Sequence, residues 1–258
     1  MTLTADTSRI QVESLDVAYG NASVLHQVSA SFPERQVTAI LGPSGCGKST
    51  LLRVINRTLE LTPGARVTGG QVHVKGRNIL HASEDIRALR KQVGIVQQRP
   101  LAFPMSIQEN VDFGRRHHHG RLQRKERDRI TAGLLERVGL WEEVKHRLDS
   151  SASRLSIGQL QRLCIARTLA NDPDVILMDE PCSALDPEST ATIEALIQEL
   201  KATVTILIVT HNIAQARRIS DQILFLLDGR VAEAGTNTEV MGAARNPRVR
   251  RFLSGEEG

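Results

Sequence analysis

"QVTAILGPSGCGKSTLLRVINR", residues 36–57, is the stretch whose reading decides the fold. "VTAIL" is an apolar run of strand length, "LLRVINR" continues as a helix, and between them stands G-x-x-x-x-G-K-[ST] in strand–loop–helix context. Its glycines let successive backbone N–H groups point inward, and the helix start adds the positive end of its dipole. The pattern makes Gly42, Pro43, Ser44, Gly45, Cys46, Gly47, Lys48, Ser49 and Thr50 a candidate phosphate cradle. Lys48 is expected to reach the β- and γ-phosphates of a nucleotide, and Ser49 to offer its hydroxyl to Mg²⁺.

Working outward, "VILMDE" is a buried strand ending in two carboxylates. Asp179 is placed to hold Mg²⁺ through water, and Glu180 to polarise an attacking water as a general base. Strand-like segments open the chain, in "RIQVESLDVAYG" and "GGQVHVKGRNI". Residues from about 105 to 170 read as polar helices, after which strand and helix alternate to "DQILFLLDG". Short apolar runs separated by amphipathic helices predict an α/β fold, a parallel sheet covered on both faces. Ile193, Leu196, Ile197 and Leu200 form a core-facing helical stripe, and "DG" at 228–229 turns a terminal hairpin. No internal repeat is visible.

The bulk properties exclude several classes. The 258 residues suffice for one large domain or two intimately packed lobes, and 40% hydrophobic with 24% charged residues is an ordinary globular composition. No apolar run approaches the roughly 20 residues of a spanning helix. "MTLTADTSRIQ" lacks the charged start and apolar middle of a signal peptide, so a cytosolic protein is expected. Cys46, Cys164 and Cys182 have no metal-ligand spacing and read as free thiols. A net charge of +4 suits a phosphate-bearing ligand or an anionic surface and proves neither.

"LSIGQLQRLCIARTLA" adds a helix with Ser156 and Gln159 at capping-box spacing. Leu160, Leu163, Ala166 and Leu169 then give it a buried stripe. This stretch resembles the Leu-Ser-Gly-Gly-Gln signature of ABC-type ATPases, with Ile157 in place of a glycine. Other marks of that family follow in order along almost the whole chain. Tyr19 stands where such proteins stack a ring on adenine, and Gln98 in "VGIVQQRP" matches the glutamine that senses Mg²⁺ and the γ-phosphate. "SALD", 183–186, matches the loop that crosses between subunits, and His211 after "TILIVT" matches the switch histidine. Seen singly, each has an ordinary alternative; Asp186 before Pro187, for one, is a good helix cap. The resemblance implies a nucleotide-binding core over approximately 1–98 and 171–258, with an antiparallel β subdomain, and an inserted helical subdomain over 99–170, all within one domain, 1–258. It also implies a head-to-tail homodimer in which Ser156, Gly158, Gln159 and Asp186 meet ATP held by the partner. Ile157, at the first helical position, is expected to point away from the ligand while its N–H survives.

"ELTPGARVTGGQV", "QQRPLAFPMSIQENVDFG", "QRLCIARTLA" and "DEPCSALDP" together are similar to the ATP-binding subunit of bacterial phosphate importers. That narrower resemblance implies a peripheral subunit on the cytoplasmic face of the inner membrane. It would dock beneath two permease subunits, with phosphate delivered by an external binding protein. Phe103, Pro104 and Met105 are the candidate permease contact, with burial as lobe core the alternative. An importer of another oxyanion or an amino acid, a soluble ABC ATPase and a non-hydrolysing nucleotide-binding regulator remain open. The run "RRHHHGRLQRKERDR", 115–129, has no acidic or cysteine partner spaced for a metal. With interspersed acids and no aromatics it reads as a solvated helix face, with no nucleic acid partner.

Overall fold

The computed structural model describes residues 8–120 and 123–256, the side chain of His119 excepted. Residues 1–7, on which most of the N-terminal reading rests, and residues 121–122 of the basic run lie outside the described residues. Two long strands, β1 (Ser8–Tyr19) and β2 (Ala22–Pro33), pair antiparallel and lead to β3 (Val37–Leu41), every residue of which is buried. The glycine-rich loop follows, then α1 (Lys48–Ile55). β4 (Ala65–Val74) and β5 (Arg77–Asn78) return to the first sheet, and α2 (Ile86–Gln92) leads to β6 (Val93–Val96). Four helices come next: α3 (Ile107–His119), α4 (Arg124–Arg137), the single turn α5 (Trp141–Val144) and α6 (Ile157–Leu169). The chain then alternates through β7 (Val175–Asp179), α7 (Pro187–Leu200), β8 (Thr205–Val209), α8 (Ile213–Ile219) and β9 (Gln222–Leu227). It ends in β10 (Arg230–Thr236), α9 (Asn237–Ala243) and α10 (Pro247–Ser254).

Among the described residues the strands form two sheets, an antiparallel one ordered β2-β1-β4-β5 and a larger one ordered β10-β9-β3-β8-β7-β6. In the larger sheet β9, β3, β8, β7 and β6 pair parallel, and β10 joins β9 as the expected hairpin. Asp228 and Gly229 turn it with φ of 48° and 73°. Gly229 has a second constraint, since a Cβ there would lie 2.3 Å from the carbonyl oxygen of Val24 in β2.

The buried strands read as continuous apolar runs because each feeds two cores. In β8, Ile206 and Ile208 face one core while Leu207 and Val209 face the other; in β7, Ile176 and Met178 oppose Val175 and Leu177. The first core is closed by the helices from α3 onward. The second differs from the expected helix layer: α1 shares it with Ile10, Leu15, Leu25, Val28, Phe32 and Val72 of the antiparallel sheet. β2 had no strand reading in the sequence. Its inward residues Leu25, Val28 and Phe32 are irregularly spaced because bulges interrupt its pairing with β1. The stripe expected on α6 is also too narrow. Residues 161 to 166, Gln161 and Arg162 included, are all buried, so this helix is enclosed on nearly every side. No helix among the described residues is long and apolar enough to cross a membrane.

Candidate functional site

The loop after β3 is shaped by two glycines. Gly42 has φ 141° and a Cβ there would lie 2.1 Å from the carbonyl oxygen of Leu226; at Gly47, with φ 102°, it would meet Leu25 at 2.4 Å. Gly47 is also the N-cap of α1, so no side chain caps that helix and no acid stands in its first turn. Lys48 is 5% exposed, and its ammonium donates to the carbonyls of Gly42 at 2.7 Å and Pro43 at 2.8 Å. Among the described residues it makes no ion pair. An uncapped helix start and a buried cation answered only by two carbonyl dipoles and, at 3.8 Å, the Cys46 thiol together call for an anion from outside the chain.

Ser49 Oγ donates to Asp179 Oδ1 at 2.9 Å, joining α1 to the end of β7. Burial pushes the Asp179 carboxyl above the usual carboxylate range, and the Ser49 hydrogen bond opposes that shift. A hydroxyl and a carboxylate in contact are hard oxygen donors of the kind Mg²⁺ takes. Tyr19 packs half-buried on the second core with its hydroxyl 3.3 Å from Thr50 Oγ1, beside the loop.

Three strand ends converge on Glu180. The parallel register sets Val96 beside Met178, Met178 beside Ile208 and Asp179 beside Val209, so the residues just past β6, β7 and β8 emerge together. Glu180 Oε2 accepts from Gln98 Nε2 at 2.8 Å, and Oε1 lies 2.6 Å from His211 Nε2. Glu180 itself has φ 49°, in the left-handed region that non-glycine residues seldom occupy. Its N–H donates to Val209 O, and its carbonyl accepts from the backbone and hydroxyl of Ser183. A groove of about 770 Å³, walled by Leu185, Ala191 and Glu194, opens beside Glu180 and His211.

Asp186 caps α7. It accepts from Ser189 N at 2.8 Å and Ser189 Oγ at 2.7 Å, and those bonds hold its carboxyl below the usual range. Ser156 caps α6 in a full capping box, accepting from Gln159 N while Gln159 Oε1 accepts from Ser156 N at 3.0 Å. The Gln159 amide is thereby turned back into its own chain, and its Nε2 donates to Glu143 at 2.6 Å. Ile157 opens the helix with its side chain outward, 63% exposed. At Gly158 a Cβ would meet Leu185 at an ordinary 3.5 Å, so nothing inside the chain requires that glycine. The cradle, the Glu180 cluster and Asp179 share one end of the larger sheet; the side-chain hydrogen bonds of Ser156 and Gln159 go to each other and to Glu143.

Phe103 is half-buried, with the Arg167 guanidinium 4.2 Å above its ring and Phe113 at 4.6 Å. Asn110, fully buried, accepts from Phe103 N and donates to the carbonyls of Phe103, Met105 and Ser106. The outward apolar side chains here are Leu101, 67% exposed, Pro104 and Phe113. Glu143, Arg162 and Arg167 carried no signal in the sequence, because each acts through a partner far along the chain. The three cysteines are free, and burial raises the Cys46 and Cys164 thiols and takes Cys182 to about 11.

The sequence matches the ABC transporter family over residues 25–183. It is 47% identical over 247 residues to a phosphate import ATP-binding protein, PstB 3, of Streptococcus pneumoniae, spanning 96% of this chain and 98% of that one. To the phosphate import ATP-binding protein PstB of Thermotoga maritima it is 47% identical over 249 residues, with the same coverage. Among solved structures, a dimeric ATP-binding cassette in a post-hydrolysis state with ADP and Pi superposes at a TM-score of 0.77. It is 29% identical and covers 88% of this chain and 98% of its own. A bacterial Atm1-family ABC exporter with ATP bound superposes at 0.83 over all of this chain, which spans 43% of the exporter's length at 25% identity.

Proposed function

The chain belongs to the ABC transporter family, and from that premise we propose that it is the ATP-hydrolysing subunit of an importer of inorganic phosphate. The observation that carries the hydrolytic reading is the convergence of Gln98, Glu180 and His211 beside the uncapped start of α1. The solute follows from the likeness to the two phosphate import proteins over nearly the whole chain.

In this reading the N–H groups of the loop and of α1 bind the β- and γ-phosphates of ATP, Lys48 moves from its carbonyls onto them, and Tyr19 receives the adenine. Ser49, Asp179 and Gln98 would hold Mg²⁺, which supplies positive charge to the phosphate oxygens. Glu180 takes a proton from the water that attacks the γ-phosphorus; the bond to the bridging oxygen breaks, and ADP leaves with that oxygen. His211 and Gln98 fix the carboxylate that does this. The signature, with Ser156 and Gly158, faces ATP on a second copy of the chain, as does the loop ending in Asp186. Residues 99–170 form the lobe that meets two permease subunits, through Leu101, Phe103, Pro104, Met105 and Phe113, at the cytoplasmic face of the membrane. An external phosphate-binding protein delivers the solute.

The test is uptake by vesicles holding the chain assembled with its permease subunits. ATP-dependent entry of phosphate, exceeding that of sulfate and molybdate, is expected. Preferred entry of another solute overturns the phosphate reading and leaves the hydrolytic one standing.

A further inference from the structure

We propose that Glu143 is a positioning residue for hydrolysis, setting the polarity of the Gln159 amide and through it the start of α6. The inference rests on the reading of the start of α6, Ser156 to Gly158, as the surface that meets the partner's ATP, with the Gln159 amide held inside its own chain.

The argument is one of donors and acceptors. Gln159 closes the capping box with its amide oxygen, which accepts from Ser156 N at 3.0 Å. The same amide turns its nitrogen to Glu143 Oε2 at 2.6 Å. A side-chain amide left to itself can rotate and exchange its two ends. With the ends exchanged, its NH₂ would face the Ser156 N–H, donor against donor, and the cap would open. A carboxylate accepts and never donates, so Glu143 admits one orientation only. The carboxylate is itself fixed from one turn further along α6. Glu143 Oε1 pairs with Arg162 at 2.7 Å, and Arg162, whose side chain is 9% exposed, also donates to the Gly139 carbonyl. Residues 159 and 162 lie on one face of the helix, so a single acid from α5 grips both.

The consequence falls on Ser156. Its oxygen accepts from Gln159 N at 3.3 Å, and among the described residues its hydroxyl proton is donated to no one. That proton, with the N–H groups of Ile157 and Gly158, is what the helix start can offer an incoming phosphate. Glu143 thus governs a site it does not touch.

Glu143→Gln tests this in the full-length chain. The new amide oxygen still satisfies Arg162, but its NH₂ now faces Gln159, which cannot answer both it and Ser156. Three quantities are measured: the affinity of the chain for a fluorescent ATP analogue, steady-state ATP turnover, and the thermal midpoint. The expected result is turnover lowered about tenfold or more, the scale of losing alignment at a reacting centre, with nucleotide affinity and thermal midpoint near those of the parent. The pair Glu143→Gln with Gln159→Glu restores every donor and acceptor, because a glutamate also closes a capping box. It is expected to recover most of the turnover, which a Gln159 that touched nucleotide directly would not allow. Unchanged turnover in Glu143→Gln, or no recovery in the pair, overturns the proposal. Ser156→Ala separates the two levels. If it slows turnover while Glu143→Gln does not, only the positioning role fails; if it has no effect, the signature reading fails as well.

Discussion

Glu180 sits at φ 49° although an L-residue with a long side chain has no intrinsic reason to be there. The left-handed conformation costs a non-glycine residue roughly 1–2 kcal/mol, and here it aims the carboxylate between Gln98 and His211. The strain is a functional expense that substitution should reveal. Glu180→Gly and Glu180→Ala both remove the general base, but glycine relaxes the backbone, so the glycine variant should be about 1 kcal/mol more stable than the alanine one. Urea denaturation of the two variants measures the difference, and equal stabilities would show that the turn carries no strain. Ile157 poses the opposite case. Its exposed side chain contacts little within the chain, so Ile157→Gly should change ATP turnover by less than about threefold, below roughly 0.7 kcal/mol. A tenfold gain would mean that the isoleucine obstructs the phosphate site.

The helices are started by different chemistry, and the difference has a pH signature. α3 and α9 close their capping boxes with Glu109 and Glu239, whereas α6 uses Gln159. The backbone N–H of Ser106 holds the Glu109 carboxyl below its ordinary value of 4.5, and that of Thr236 does the same for Glu239. An acid whose folded pKa is depressed stabilises the fold above its unfolded pKa, and that stabilisation disappears as pH falls through the folded value. Glu109→Gln keeps the cap at neutral pH, as Gln159 shows, and removes the titration. Its stability should therefore lie somewhat below the parent's near pH 7, where the parent's charge contributes, and fall less steeply below about pH 4.5 in acid denaturation followed by circular dichroism. An unchanged acid limb would show that the cap does not feel the charge. The signature helix closes its box with an amide, which does not itself titrate.

At the scale of the molecule the chain presents half-sites. The cradle and the Glu180 cluster stand at one end of the larger sheet, while at the start of α6 the Ser156 hydroxyl proton is donated to none of the described residues. Gly158 has room for a side chain within the chain; in the proposed reading the glycine lets ATP held by a second copy approach the backbone. Glu180→Gln should bind ATP, slow hydrolysis by about 10²-fold or more, and run as a dimer with ATP and Mg²⁺ and as a monomer with ADP. Analytical ultracentrifugation distinguishes these states. A chain that stays monomeric with saturating ATP and Mg²⁺ contradicts the head-to-tail arrangement.

The sequence by itself determined what is local. The strand, glycine loop and helix around Lys48 are contiguous, so their spacing alone specifies the cradle. The Ser156–Gln159 box and the Asp228–Gly229 turn are likewise written within a few residues. Tertiary structure decided what depends on register and on contacts between distant segments. β2 carries no alternating apolar pattern, because bulges interrupt its pairing with β1. The second face of the larger sheet is shared between α1 and the antiparallel sheet, because Ile10, Leu25 and Phe32 bury themselves against it. Gln98, Glu180 and His211 were each legible as candidates, but only the parallel pairing of β6, β7 and β8 sets them around one carboxylate. Glu143 was not legible at all. An acid on a one-turn helix carries no pattern, and its meaning comes from an amide and a guanidinium 16 and 19 residues away (159 − 143 and 162 − 143), which folding alone brings within hydrogen-bond reach.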